Sequence, residues 1–169
     1  ASVLFRDQHT SVVPNGLSLD LFKPLDKKFA RDAWNLPHDK KLILFGAVSS
    51  TSDPRKGFQY LQQALKRLVG QGMSETTEVI IFGGSKPNAN YDIGMKAHYM
   101  GAARDNVSLA MLYAAADLFV TPSMQDNLPN TLVEAMACGL PCVGFNVGGI
   151  PEIINHSVNG FLVEPFSIN

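Results

Sequence analysis

The sequence predicts a doubly wound α/β fold with a mostly parallel sheet covered by helices on both faces. Three observations carry that prediction. Short, continuous apolar runs rich in β-branched and aromatic residues recur from Lys41 onward. Most of these runs end at a glycine or at Thr-Pro. Between most of them lie stretches whose apolar residues recur at helical spacing, and strand–helix–strand succession requires right-handed crossovers and a parallel sheet. The 169 residues suit one such domain.

Taken in order, residues 1–40 read as a lead-in: an extended piece, the turn Pro14-Asn15-Gly16, and a short helix near Lys27 to Trp34. The α/β core follows over 41–165. Leu42-Ile43-Leu44-Phe45, ending at Gly46, reads as a buried strand. Phe58, Leu61, Leu65 and Leu68 give the next helix one apolar face, with Gly70 as its stop. Val79-Ile80-Ile81-Phe82 is a second strand ending at Gly83-Gly84, and residues 85–91 are a polar loop. A short strand follows near His98 to Met100, then a helix over Ser108 to Ala116 and a strand Leu118-Phe119-Val120 ending at Thr121-Pro122. Thr131 to Cys138 reads as a helix closed by Gly139, Cys142-Val143-Gly144-Phe145 as a strand, and Pro151 marks the first turn of a short helix. In such a sheet, ligands bind beyond the carboxyl ends of the strands, so loops 46–57, 83–91, 121–131 and 145–150 are expected to share one rim.

Composition narrows the partners. Fourteen Lys and Arg against fifteen Asp and Glu leave a net charge of −1, which supplies no global field for nucleic acid or an anionic membrane. The longest apolar stretches fall far short of the roughly 20 residues of a membrane span. Residues 1–10 lack the pattern of a signal peptide, and the chain opens on Ala1 rather than Met. Cys138 and Cys142 form no framework of paired spacings and are expected to be small buried hydrophobes in a reducing compartment. The four His residues are scattered, so no metal site is expected.

Three loops carry polar groups suited to chemistry. Arg55 and Lys56 precede a helix N-terminus, where the macrodipole disfavours cations unless an anion such as a diphosphate joins them. The bland alternative is two solvated surface cations. Asp126 and Glu134 stand eight residues apart, one in a loop leaving a strand and one in the first turn of the next helix, where carboxylates can accept from ligand hydroxyls. Against this, Thr131-x-x-Glu134 matches a capping box, and Asp126 has the makings of an ordinary turn residue. The pair Gly148-Gly149 permits close backbone approach to a ligand, or merely a tight turn, and Glu152 beyond it can simply stabilise its helix.

Four matches, in order, identify a resemblance: Val13-Pro14-Asn15-Gly16 with Phe22-x-Pro24; Lys56-Gly57; the acidic pair running into Glu134-Ala135-Met136-Ala137-Cys138-Gly139-Leu140-Pro141; and Gly148-Gly149-Ile150-Pro151-Glu152 with Asn159-Gly160. Over most of its length the chain resembles the C-terminal, nucleotide-sugar-binding domain of a retaining GT-B glycosyltransferase of group 1, a Rossmann-like fold also similar to glycogen synthases. The resemblance implies that Glu134 holds the ribose hydroxyls of the donor, that Asp126, standing where the family carries Glu, contacts the donor sugar, and that Lys56 pairs with the diphosphate. The family's Arg after the Gly46 position is replaced by Ala47, so either Arg55 compensates or that charge is lost. The usual Gly-Phe-Gly stretch is replaced by Asn127-Leu128-Pro129-Asn130, whose backbone donors at Leu128 and Asn130, with Thr131, join the substrate site, while Pro129 has no N–H to give. The base is expected near His98-Tyr99-Met100-Gly101 and Arg104. No cofactor or metal is implied, and no Asp-x-Asp motif occurs.

The activity implied is hexosyl transfer from a nucleoside diphosphate sugar to an acceptor hydroxyl in polysaccharide or glycoconjugate biosynthesis. The acceptor, a sugar or a lipid-linked sugar, is expected to bind an N-terminal domain preceding Ala1. A cytoplasmic location, peripheral to the inner membrane through that other half, goes with this reading. The alternatives are a nucleotide-sugar epimerase of the same architecture and a nucleotide-binding module without turnover.

Overall fold

The computed structural model describes residues 11, 13, 15–46, 51–83, 93–103 and 105–165. In chain order the main elements are α1 (Lys27–Ala33), β1 (Lys41–Gly46), α2 (Phe58–Gly70), β2 (Thr77–Phe82), β3 (Ala97–Gly101), α3 (Asn106–Ala115), β4 (Leu118–Thr121), α4 (Asn130–Ala137), β5 (Cys142–Phe145), α5 (Ile150–Ile153) and β6 (Gly160–Val163). The six strands form one sheet in the order β3-β2-β1-β4-β5-β6, and every pairing is parallel. This is a Rossmann-like α/β fold. The order reverses between β1 and β4, so the crevice beyond their carboxyl ends is the topological switch point where such sheets take ligands.

Alternation along the strands sorts the core into two layers. Leu42, Leu44, Ile80 and Phe119 pack with residues of α3 and α4, whereas Ile43, Phe45, Val79 and Ile81 pack against Phe58, Leu61 and Leu65 of α2. Burial on both faces is why these strands read as unbroken apolar runs. β6 does not appear in the sequence reading. It has four residues, opens on Gly160 and leaves Phe161 largely exposed, so it lacks the signal of a buried strand.

α1 is fastened rather than loosely attached. Asp26 caps it by accepting from the Phe29 N–H. Arg31, only 5% exposed, donates to the carbonyls of Ala115, Pro37, His38 and Lys40 and to Asp117 Oδ2 at 2.7 Å. Asp117 also accepts from Lys27 Nζ and from the Leu42 N–H. Burial alone would raise the Asp117 carboxyl, but Lys27, the Leu42 N–H and Arg31 together hold it below its usual range. This knot ties the lead-in helix to the amino ends of β1 and β4, opposite the crevice.

Cys138 and Cys142 are free and buried, and burial pushes their thiols up to about 11 and about 12. No helix among the described residues is long and apolar enough to cross a membrane.

Candidate functional site

The loops after β1, β4 and β5 meet at the crevice, as the rim argument expects. Residues 84–92 and 104 and the first part of the β1 loop, 47–50, lie outside the described residues, so the polar loop over 85–91, Ala47 and Arg104 do too. After β1, Pro54–Lys56 form a single 3-10 turn capped by Asp53. The Asp53 carboxylate accepts from the Arg55 N–H and pairs with its guanidinium at 2.8 Å, so the Arg55 side chain, 70% exposed, is engaged within its own turn. That side-chain bond, then the backbone one, holds the Asp53 carboxyl below its usual range.

Two backbone contacts bring the β1 and β4 loops together. The Met124 N–H donates to the Arg55 carbonyl at 2.8 Å. Gly57, the N-cap of α2 at φ +70°, lies so close to Pro122 that a Cβ there would sit 1.8 Å from its carbonyl oxygen. Lys56 Nζ consequently rests 2.9 Å from Asp126 Oδ2, the two side chains 25% and 15% exposed. Beside them is a cavity of about 290 Å³ lined by Asn15, Lys56, Asp126, Leu128, Pro129, Asn130 and Thr131. Asn15 reaches it from the lead-in by donating to Asn130 Oδ1.

The β5 loop supports this floor from behind. The Gly149 N–H donates to the Asp126 carbonyl at 3.0 Å. A Cβ on Gly148, at φ +55°, would lie 1.9 Å from that same oxygen, and one on Gly149 would lie 1.6 Å from the Asn127 carbonyl. The close approach these glycines permit is thus to the neighbouring loop's backbone. Gly46 plays a similar steric part at the end of β1, where a Cβ would strike the Phe82 ring. Asn127 is exposed beside the site.

The capping-box reading of Glu134 does not hold. α4 begins at Asn130, with Pro129 as its N-cap and no side-chain cap bond, so Thr131 is already inside the helix and Glu134 is in the second turn, not the first. Glu134 instead accepts from the phenol of Tyr113, with 2.8 Å between Tyr113 Oη and Glu134 Oε2. Burial raises the Glu134 carboxyl, and the Tyr113 bond opposes that rise. It does not line the 290 Å³ cavity; Lys56, Asp126, Leu128, Asn130 and Thr131 do.

Comparison with known proteins decides the family. A family model described as "Glycosyl transferases group 1" matches residues 39–169. The chain belongs to the group 1 glycosyl transferases. It is 34% identical to the D-inositol 3-phosphate glycosyltransferase of Xylanimonas cellulosilytica, over 90% of this chain and 39% of that protein. Among solved structures, sucrose-phosphate synthase from Thermosynechococcus elongatus superposes with a TM-score of 0.77 at 29% identity, covering 92% of this chain and 40% of that one. Anabaena HepE, solved in complex with UDP, gives 0.78 at 25% identity, covering 96% and 46%. The chain therefore spans less than half the length of each of these relatives.

In this group 1 domain, two site-adjacent residues escaped the sequence reading. Asp53 is the partner that occupies Arg55, and its place just before Pro54 is the cue that it caps the turn. Tyr113 is the other, and its cue is chemical: a phenol inside the apolar run Met111-Leu112-Tyr113-Ala114-Ala115, once buried, needs a hydrogen-bond partner. On the β3 side, His98 Nε2 lies 2.6 Å from Glu78 Oε2, and Tyr99 packs against the α2-side core.

Proposed function

We propose that this domain binds a nucleoside diphosphate sugar, and that, paired with an acceptor-binding domain, it transfers the sugar to an acceptor hydroxyl with anomeric retention. The observation that carries the reading is the Lys56–Asp126 pair at the switch-point crevice. Among the described residues each of these side chains has one ionic partner, the other, and both keep a face open to the cavity. An arriving diphosphate draws the Lys56 ammonium onto itself, and Asp126 is released to accept from a sugar hydroxyl. Lys56 and the Asn130 and Thr131 N–H groups at the start of α4 then neutralise charge as the diphosphate departs from an oxocarbenium-like centre, without a metal. Glu134 accepts from the ribose hydroxyls.

The complex of Anabaena HepE with UDP supports this ligand class. An acceptor, a sugar or lipid-linked sugar, binds a separate domain in this reading. Residues 1–169 alone bind donor and transfer nothing. The setting is cytoplasmic polysaccharide or glycoconjugate synthesis. Calorimetric titration of the chain with UDP, ADP and GDP, their monophosphates and their glucose esters tests the proposal. The wild-type chain should prefer one diphosphate over its monophosphate, and Lys56→Ala should abolish that preference, weakening the diphosphate about tenfold or more. A Lys56→Ala chain with undiminished preference overturns the assignment.

A further inference from the structure

The aromatic core beneath α4 holds a group that packing does not account for. Tyr113 is fully buried. Its ring lies 5.8 Å from Phe119, 6.0 Å from Phe82 and 6.4 Å from Phe22, centroid to centroid. A phenylalanine would supply that packing equally well; what tyrosine adds is one hydroxyl, placed 2.8 Å from Glu134 Oε2. We infer that Tyr113 is a positioning residue for donor recognition, locking one oxygen of Glu134 so that the other is presented to the ribose hydroxyls. The inference rests on the proposed role of Glu134.

The chemistry leaves the hydrogen bond one direction. An ionised carboxylate only accepts, so the phenol donates. The hydroxyl is shielded from bulk solvent, and the acceptor it meets is Glu134 Oε2. Burial, reinforced by the Glu134 charge, pushes the phenol far above its ordinary range, so it remains a donor across the whole working pH range. The same bond opposes the rise that burial imposes on Glu134 and so favours the charged acceptor. The two residues come from different helices, α3 and α4, so the carboxylate orientation is fixed by their packing rather than by the Glu134 rotamer alone.

The test uses the 169-residue chain, with UDP, ADP and GDP and the 2′-deoxy and 3′-deoxy form of each as probes. Dissociation constants are measured for wild type, Tyr113→Phe, Glu134→Gln and the double variant, each first checked by thermal unfolding. The wild-type chain should bind its preferred ribonucleotide about tenfold more tightly than a deoxy form, a difference of about 1.4 kcal/mol. Tyr113→Phe should shrink that ratio severalfold while leaving affinity for the deoxy form unchanged, and should have no further effect on the ratio in the Glu134→Gln background. A Tyr113→Phe chain that keeps the wild-type ratio, or that loses ribo and deoxy forms equally, overturns the positioning role and leaves Glu134's role standing. If Glu134→Gln itself leaves the ratio unchanged, the role of Glu134 fails and the inference falls with it.

Discussion

The two ends of the β1–β4 junction carry similar ion pairs with opposite characters. At the amino end, Asp117 is saturated: it takes Lys27, Arg31 and a backbone N–H, while the Arg31 guanidinium is also spent on four carbonyls. At the carboxyl end, Lys56 and Asp126 make one bond to each other and border open volume. A saturated pair holds the fold and has nothing to offer a ligand. A singly bonded, partly exposed pair contributes little to stability and can exchange partners. The contrast separates a pair spent on architecture from a pair with room for a ligand, on adjacent strands.

Arg31→Ala tests that contrast with the largest expected effect. Leaving Asp117 and four carbonyls without their buried donor should cost about 3 to 5 kcal/mol in urea unfolding, with nucleotide affinity of the folded chain unchanged. Gly57→Ala should come next, since it forces a side chain onto the Pro122 carbonyl at a positive φ. A loss of about 2 kcal/mol or more is expected, together with weaker diphosphate binding, because the β1 and β4 loops must part. Asp126→Ala should be the mirror image of Arg31→Ala: less than about 1 kcal/mol in stability, but about tenfold weaker binding of a nucleotide sugar relative to its free nucleotide. Equal losses for nucleotide and nucleotide sugar would remove Asp126 from the sugar subsite.

The smallest effect is a pH dependence of opposite sign for two half-buried carboxyls. Asp117 is held below its usual range, so its stabilisation is present above the unfolded value and fades as pH drops through the folded one; the advantage of wild type over Asp117→Asn in thermal midpoint should shrink below about pH 4. Glu134 is raised, so its ionisation costs stability as pH climbs past the unfolded value near about 4.3. Glu134→Gln should therefore gain on wild type as pH rises above that unfolded value. Parallel slopes for the two variants would contradict one of the two assignments, the one whose sign is reversed.

Much of this molecule is legible in its sequence because parallel strands buried on both faces spell themselves out as apolar runs. Five of the six strands and the helices between them follow from that, with ends shifted by a residue or two. β6 does not, because half of its evidence is the partner strand β5 and not its own composition. Lys56 and Asp126 were readable as candidates from loop position and chemistry, while Leu128, Asn130 and Thr131 came only through the family resemblance; the structure places all five round one cavity. The environment of Glu134 was not readable. Thr131-x-x-Glu134 imitates a cap, and what rules it out is that the N-cap is Pro129, two residues before Thr131. Its real partner, Tyr113, lies 21 residues upstream and meets it only through packing of α3 on α4.

The backbone-on-backbone seat of Gly148 and Gly149 against Asp126 and Asn127 has a consequence for anyone grafting donor preference between relatives. The segment after β4 and the segment after β5 form a single cassette: neither can be lengthened or given bulk without unseating the other. A chimera that exchanges residues 122–130 together with 145–150 keeps the seam closed, whereas side-chain changes at Leu128 and Asn130 alter the cavity wall without touching it.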